Sequence, residues 1–312
     1  MLRFILKRLL LGIPTLFAVL TIIFVLMRVV PGDPAYAVLG DYATDDAVAA
    51  LREQMGLNQP IWQQYLTYMG GLLRGDLGDS LITRQPAWIQ IRAVLPYTLQ
   101  LTVAAIFIAL AIGIPAGMIS AVRRNTGIDY TVRVLSLAGL SAPAFYIGLL
   151  LMYLLSARAG WFPAISTAGF EEPRANLHAL VLPAITLGLV ETAYVTRMTR
   201  SVMLNVLSDD YVRTARAKGL ANRSVLIRHA LRPGLVPIVA LTGIFIIGLI
   251  GGSVLTEEVF ARPGLGKLMV GATTRRDYTL LQAIMVVYAL IIVIVNIIVD
   301  IVYTWVDPRM RQ

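Results

Sequence analysis

The chain has 312 residues, of which 57% are hydrophobic and only 14% are charged. Soluble domains carry about 25% charged residues, so this composition excludes an ordinary water-soluble enzyme and indicates a membrane protein. The net charge is +9, and the lack of Cys together with only two His excludes disulfides, thiolate metal sites and a three-histidine zinc site.

Six uncharged stretches follow one another along the chain, each near or above the roughly 20 residues that a spanning helix needs. They cover residues 9–27, 93–122, 134–157, 175–190, 233–256 and 278–299. The fourth reaches full length only by continuing through Glu191 to about Thr196. Prolines inside spans are tolerated in helix bundles and predict kinks at Pro14, Pro115, Pro143 and Pro183. The predicted fold is all-α, a polytopic membrane protein with six transmembrane helices.

Basic residues are distributed unevenly over the two sides of this predicted bundle. The side that holds both termini has most of the Lys and Arg and few acidic residues, whereas the two signs balance on the other side. The positive-inside rule therefore predicts that both termini are cytoplasmic. Because the basic residues are spread over short loops, the net charge does not indicate nucleic-acid binding. The first helix is expected to be an uncut signal anchor, although Ala35-Tyr36-Ala37 fits a cleavage pattern.

The longest piece outside the spans, residues 31–92, is expected to be helical and extracytoplasmic. Thr44 is placed to cap one helix that ends at Gly56. A second helix is predicted to start at Pro60 and to end before Gly75. These amphipathic helices either cover the outer mouth of the bundle or form a gate or docking surface for a substrate-delivering protein.

Between Arg197 and Pro237 lies the largest predicted cytoplasmic segment, which is too short for a nucleotide-binding domain. Ser208 is expected to cap a short helix that ends at Gly219, and a second helix is expected to start at residues 222–224. The pattern predicts a helix, a glycine turn and another helix. Such a pair could anchor to the lipid surface or be held by a cytoplasmic partner.

Catalytic motifs are incomplete. Gly264, Gly266 and Lys267 suggest a phosphate loop, but Ala261 replaces its first glycine and Leu268 replaces its Ser or Thr. No nucleophile motif accompanies either histidine. We therefore expect neither nucleotide binding nor catalysis by this chain.

Glu191 is the acidic residue that the sequence places inside the bundle. Two interpretations are open: a place in a substrate cavity, or a structural pairing with Arg197 or Arg200. Two glycine pairs, Gly113–Gly117 and Gly248–Gly252, have a spacing that permits close helix contact, and helix packing is the role we expect for them.

The 210–219 segment closely resembles the cytoplasmic coupling loop of bacterial ABC importer permeases, in particular those of the dipeptide and oligopeptide branch. It reads Asp210-Tyr211-Val212-Arg213-Thr214-Ala215-Arg216-Ala217-Lys218-Gly219, and Arg228-His229-Ala230-Leu231-Arg232 follows. Other matching motifs are Pro31-Gly32-Asp33-Pro34, Gly75-Asp76-Leu77-Gly78-Asp79-Ser80, Val259-Phe260 with Pro263-Gly264-Leu265-Gly266, Arg276-Asp277-Tyr278 and Asp307-Pro308-Arg309. Because they occur in the family's order on a six-helix frame, the resemblance covers essentially the whole chain.

This resemblance implies a type I ABC importer transmembrane domain over residues 94–305, in the bacterial cytoplasmic membrane. A transmembrane helix with an extracytoplasmic helical segment would precede it over 1–93, and a cytoplasmic tail would follow over 306–312. Within the coupling loop, about 198–237, the implied ATPase contacts are Ser208, Asp209, Asp210, Tyr211, Arg213, Thr214, Ala215, Arg216, Lys218 and Gly219. Glu191 and Arg197 are the candidates for a pathway or a helix pairing.

The resemblance also implies the partners. They are a second homologous permease, two ABC ATPase subunits that would bind ATP and Mg, an extracytoplasmic solute-binding protein, and the lipid bilayer. This chain would bind no cofactor itself. The expected cargo is a short peptide, although similar permeases import nickel complexes, opines, glutathione or oligosaccharides. The alternative from another class is an ion-coupled secondary transporter, for which Glu191 and Asp300 are the acidic candidates near the spans.

Overall fold

The computed structural model describes residues 2–29, 34–40 and 43–306, and that part of the chain consists of helices joined by short loops. The helices are α1 (Leu2–Val29), α2 (Pro34–Leu39), α3 (Asp45–Gln54), α4 (Ile61–Leu73), α5 (Ala87–Val122), α6 (Gly127–Ser141), α7 (Ala144–Leu151), α8 (Pro173–Ser208), α9 (Asp210–Ala217), α10 (Asn222–Ser224), α11 (Arg232–Val259), α12 (Leu265–Thr274) and α13 (Tyr278–Val306). Two π-helical stretches, Met152–Arg158 and Val225–Leu231, continue α7 and join α10 to α11. The first three residues of the Pro31-Gly32-Asp33-Pro34 motif lie outside the described residues. The Asp307-Pro308-Arg309 motif and the predicted tail after residue 306 also lie outside them.

Five helices of the described chain, α1, α5, α8, α11 and α13, contain stretches long and apolar enough to cross a membrane. A sixth candidate is α6 with α7, which meet at an angle of 103°. Pro143 lies at this break, whereas Pro14, Pro115 and Pro183 lie inside continuous helices. The fourth predicted span, doubtful by its length in the sequence, is the 36-residue helix α8.

Helices α5 and α8 pack side by side and run in the same direction. Gly188 faces Ala105, Gly113 faces Val195, and residue numbers therefore rise together along both helices. A Cβ atom at Gly117 would lie 2.5 Å from the carbonyl oxygen of Thr196, so the backbones touch. The close helix contact predicted for Gly113 and Gly117 is confirmed.

The second glycine pair does not bring two helices of this chain together. No described atom lies within 4 Å of a Cβ built on Gly248, and Gly252 meets only Leu187, at 3.8 Å. This pair therefore makes no close backbone contact within the described chain, and a packing role for it stays a prediction.

The parallel arrangement of α5 and α8 shows how α6 and α7 must run. The chain leaves α5 at Val122 and starts α8 at Pro173, which lies at the other end of the bundle. Just before α8, the Phe170 ring packs on Tyr97, in the first third of α5, with ring centroids 4.6 Å apart. The bent pair therefore carries the chain once along the bundle, which makes it the sixth candidate span.

Helices α1 and α13 are antiparallel and bring the described ends of the chain together. Arg8 forms an ion pair with Asp300 at 3.1 Å, and a Cβ at Gly12 would meet Val293 at 3.3 Å. These residues lie at the end of the bundle that also holds residues 122–126 and 209–232, which we call the basic end. The far end holds residues 34–86 and 260–277.

The 34–86 segment forms the two helices predicted from its sequence. The Thr44 hydroxyl accepts a hydrogen bond from Ala47 N at 3.3 Å, and α3 stops before Gly56, whose φ is +65°. Helix α4 begins after Pro60 and lies on α1, where the Tyr65 hydroxyl bonds Thr21 at 2.7 Å. The partner surface that α4 requires is thus supplied by the first spanning helix.

Candidate functional site

The residues assigned to the coupling loop form a short helix, α9, at the basic end. Asp209 is its N-cap residue in extended conformation, and its side chain makes no capping bond. Ser208 is instead the last residue of α8, where its hydroxyl donates to the Asn205 carbonyl at 2.6 Å. The predicted cap by Ser208 was wrong, because α8 continues to Ser208 and the break in the backbone falls at Asp209.

One apolar face holds α9 against its own chain. Val212, Ala215 and Val225 are buried together, with Val206 and Leu207 packed around them. The other side of the helix is exposed, at Asp210, Tyr211, Arg213, Thr214, Arg216 and Lys218. Ala215 therefore seats the helix, while the other predicted contact residues of α9 form a free polar face.

The glycine turn after α9 has the conformation that the sequence predicts. Gly219 has a φ of +76°, and its N–H donates to the Arg216 carbonyl at 3.0 Å. The next helix begins at Asn222 and passes through the π-helical stretch into α11 without a break. Pro233 lies in the first turn of α11, where proline is tolerated. Because α9 follows α8 directly, the segment links two spanning helices.

A buried ion pair lies beside this segment, where α5, α6 and α8 meet. Arg200 donates to the two Asp129 oxygens at 2.7 and 2.9 Å. Ser120 donates to the same carboxylate at 2.6 Å, and Asn125 N donates at 2.9 Å. Two-pronged arginine–carboxylate pairs fix geometry as well as charge. Arg200 is thus occupied by Asp129 and does not pair with Glu191.

Glu191 and Arg197 lie on different faces of α8. Glu191 lines a cavity of about 10 Å³ between α5, α8 and α11, and its buried Oε2 atom has no hydrogen-bond partner among the described residues. Such a cavity holds one water at most. Arg197 is exposed and lines a groove between α6 and α8. Six residues along a helix separate two side chains by about 120°, so the pairing interpretation is contradicted. A pathway role for either residue stays a prediction.

At the far end, the Glu257 carboxylate is fully buried against the first turn of α12. It accepts hydrogen bonds from Gly266 N at 2.7 Å, Lys267 N at 3.3 Å and the Thr98 hydroxyl at 2.7 Å. The Thr98 hydroxyl accepts in turn from Leu265 N at 2.8 Å. The free N–H groups of a helix start stabilise negative charge, and here they stabilise a carboxylate of the same chain.

The two glycines of the Pro263-Gly264-Leu265-Gly266 motif are required by this contact. A Cβ at Gly264 would lie 2.3 Å from the Glu257 carboxylate carbon, and a Cβ at Gly266 would lie 2.4 Å from Val254 Cα. Neither position has space for a side chain. The motif that partly resembles a phosphate loop thus binds an internal carboxylate.

Arg262 is fully buried next to this contact. Its guanidinium donates to Ser166 at 2.8 Å and to Gln100 at 2.6 Å, and lies 5.4 Å from the centre of the Tyr97 ring. Burial lowers the pKa of Arg262, and the negative charge of Glu257 opposes that effect. The side chains of Glu257 and Arg262 thus connect the loops around α12 to the start of α5.

Two more motifs from the sequence meet at the far end. Ser80, the last residue of the Gly75–Ser80 motif, donates to the Asp277 carboxylate of the Arg276-Asp277-Tyr278 motif. Asp277 also accepts from Leu81 N and from Leu280 N, both at 3.1 Å, and so caps α13. This contact fastens the end of the 34–86 segment to the last spanning helix.

Sequence reasoning missed Asp129, Glu257 and Arg262 because each lies just outside an uncharged stretch and counts as a loop charge there. Their position next to a predicted span was the available signal, since charged groups close to the membrane interior are usually paired. For Glu257, the glycine-rich turn seven residues later was a second signal.

The chain resembles known transport proteins over its whole length. Residues 113–312 match the family described as "Binding-protein-dependent transport system inner membrane component", and residues 1–102 match its N-terminal region. It is 41% identical over 334 residues to the di/tripeptide transport system permease protein of Pseudomonas aeruginosa, covering 100% of this chain and 99% of the relative. It is 37% identical over 311 residues to a glutathione transport system permease protein of Escherichia coli, with coverages of 100% and 99%.

A solved structure has the same fold. A chain of the MetNI methionine ABC transporter in an inward-facing conformation superposes with a TM-score of 0.58 at 20% sequence identity, covering 70% of this chain and 97% of that chain.

The chain belongs to the family of inner membrane components of binding-protein-dependent transport systems. It is a permease subunit of an ABC importer with a type I transmembrane fold. The family resemblance, the all-α fold and the multi-pass inner-membrane location predicted from the sequence are confirmed.

Proposed function

We propose that the chain forms, together with a second homologous permease, the translocation pathway for short peptides in an ATP-driven importer. An extracytoplasmic binding protein would deliver the peptide at the far end. Two ATPase subunits with bound ATP and Mg would act at the basic end, which holds both described ends of the chain and would be cytoplasmic.

The exposed polar face of α9 carries this proposal. The helix is seated by Val212, Ala215 and Val225, and it presents Tyr211 and Arg213 outward. A rigid helix with a free face is suited to a cleft on a partner protein. Since α9 is joined to α8 and, through the Gly219 turn, to α11, closure of the ATPases would move two spanning helices together.

The peptide cargo is supported by the relatives. The P. aeruginosa protein is named for di- and tripeptides, and the E. coli protein for glutathione, itself a tripeptide. Glutathione is therefore the second candidate within the same chemical class. Nickel complexes, opines and oligosaccharides have no comparable support among the relatives described above.

Uptake measurements separate these cargoes. A strain lacking the gene is expected to lose uptake of labelled di- and tripeptides, and the wild-type chain should restore it. Restored glutathione uptake with unchanged dipeptide uptake would select the second candidate. If neither peptide nor glutathione uptake depends on the gene, the proposed cargo is wrong while the importer class stands.

A further inference from the structure

A groove with a volume of about 450 Å³ lies between α6 and α8 near the basic end. Three arginines line it: Arg133, Arg197 and Arg200. None of the described residues that line the groove is acidic. Asp129, behind the groove wall, neutralises Arg200 and lies 3.7 Å from Arg133. The groove therefore has an excess of positive charge, and no described residue forms an ion pair with Arg197.

The other half of the groove is aliphatic. Leu137, Leu140, Val132 and Leu204 line it together with the hydroxyls of Ser136 and Ser201. Leu137 is 64% exposed, although it lies within α6. The groove thus combines cationic and hydroxyl donors with an open hydrocarbon surface.

The groove lies at the level where a bilayer changes from hydrocarbon to headgroups. Arg200 donates to Ser120 at 3.1 Å, which places the two residues at one height in the bundle. Ser120 stands only one turn before Arg123, the first charged residue after the uncharged stretch of α5. Arg197 precedes Arg200 by about one turn of α8 and therefore lies closer to the membrane centre. Its side chain is long enough to extend to the interface.

We propose that this groove is a binding site for an anionic phospholipid, with the phosphate against Arg133 and Arg197 and an acyl chain along Leu137 and Leu140. The ligand needs negative charge to match the arginines and a hydrocarbon part to cover the leucines. Basic pockets between transmembrane helices are known to bind acidic headgroups. Free phosphate meets the first requirement only, because it has no hydrocarbon part to cover the leucines. A membrane lipid meets both.

The test is native mass spectrometry of the chain co-purified with its partner subunits from vesicles of mixed phosphatidylcholine and phosphatidylglycerol. The wild-type complex is expected to retain phosphatidylglycerol in preference to phosphatidylcholine. Arg197→Gln removes one basic contact and should reduce the retained phosphatidylglycerol about fivefold. Arg223→Gln is the matched control, because Arg223 is an exposed arginine at the same end outside the groove.

Loss with Arg197→Gln but not with Arg223→Gln supports the site. Equal retention by both variants, or no lipid preference in the wild-type complex, overturns it. If Arg197→Gln leaves lipid retention unchanged but raises the KM for peptide uptake, the groove belongs to the peptide pathway and the lipid proposal is wrong. Because Arg197 forms no ion pair or hydrogen bond with another described residue, its replacement should not disturb folding.

Discussion

Two aspartate–arginine pairs at the basic end differ mainly in their exposure to solvent. Asp129 and Arg200 are 2.7 Å apart, with 0% and 18% of their side chains exposed. Asp210 and Arg213 are 3.6 Å apart, with 95% and 80% exposed. An exposed pair contributes little to stability, whereas loss of one partner of a buried pair leaves a charge uncompensated.

We predict that Asp129→Asn destabilises the permease by about 3 kcal/mol or more, because Arg200 stays charged in its buried position. The measurement is the melting temperature of the detergent-solubilised chain without its ATPase subunits, so that the contacts proposed for Asp210 do not affect it. Asp210→Asn is the matched control and should leave that temperature unchanged. Similar melting temperatures for both variants would show that the buried pair contributes no more than a surface pair.

The glycines around Glu257 allow a similar paired comparison. Gly264→Ala would place a methyl group on the Glu257 carboxylate and should cost about 1–3 kcal/mol or more through overpacking. Gly271→Ala, inside α12, has no described atom within 4 Å of the new methyl and should be neutral or slightly stabilising. Thermal unfolding of the two variants tests this difference in stability. A Gly264→Ala protein as stable as the Gly271→Ala protein would contradict the close contact between Gly264 and the Glu257 carboxylate.

At the scale of single elements, the sequence predicted what depends on local chemistry. The Thr44 cap, the helix start after Pro60 and the turn at Gly219 were correct because each is decided by a few neighbouring residues. The Ser208 cap failed because α8 gains from packing beyond its apolar stretch. Such packing extends a helix past the point that propensity alone favours.

The Gly219 turn provides the prediction at this scale. Gly219→Val forces a side chain into the left-handed region, which costs about 1–2 kcal/mol, so the protein should still insert and assemble. The displaced α9 should then weaken substrate-stimulated ATP hydrolysis in reconstituted vesicles.

Gly160→Val is the control for that strain. Gly160 has a φ of +65° and, like Gly219, no described atom within 4 Å of an added Cβ, but it lies at the far end of the bundle. The control should match Gly219→Val in abundance and keep ATP hydrolysis normal. Equal ATPase rates in both variants would show that the Gly219 turn only connects two helices and has no role in coupling.

Over the whole molecule, the contacts that the sequence could not predict are those between distant segments. Ser80 and Asp277 are 197 residues apart, and Thr98 and Glu257 are 159 apart. The motifs that contain Ser80 and Asp277 were each visible alone, whereas Thr98 and Glu257 belong to no motif, and no local pattern states which segments meet. The number of spans could be predicted because span length depends on bilayer thickness. The break at Pro143 could not, since a proline in a span produces a kink, a break or neither, depending on its neighbours.

The crossing by the bent pair α6–α7 decides the topology of the chain. Between residues 73 and 222 lie α5, the bent pair and α8. If the pair crosses the membrane, three crossings put these two positions on opposite sides, and if the pair re-enters, two crossings put them on one side. Because the chain has no Cys, single cysteines can be labelled without removing others.

We predict that Leu73→Cys, at a position 90% exposed, reacts with a membrane-impermeant maleimide in intact spheroplasts. Asn222→Cys, also at an exposed position, should react only after the membrane is permeabilised, because basic residues concentrate at its end of the bundle. Both variants should retain uptake, which confirms that folded protein is labelled. Reaction of both cysteines in intact cells would mean that α6–α7 is re-entrant, and reaction of Asn222→Cys alone would mean that the basic end faces outward.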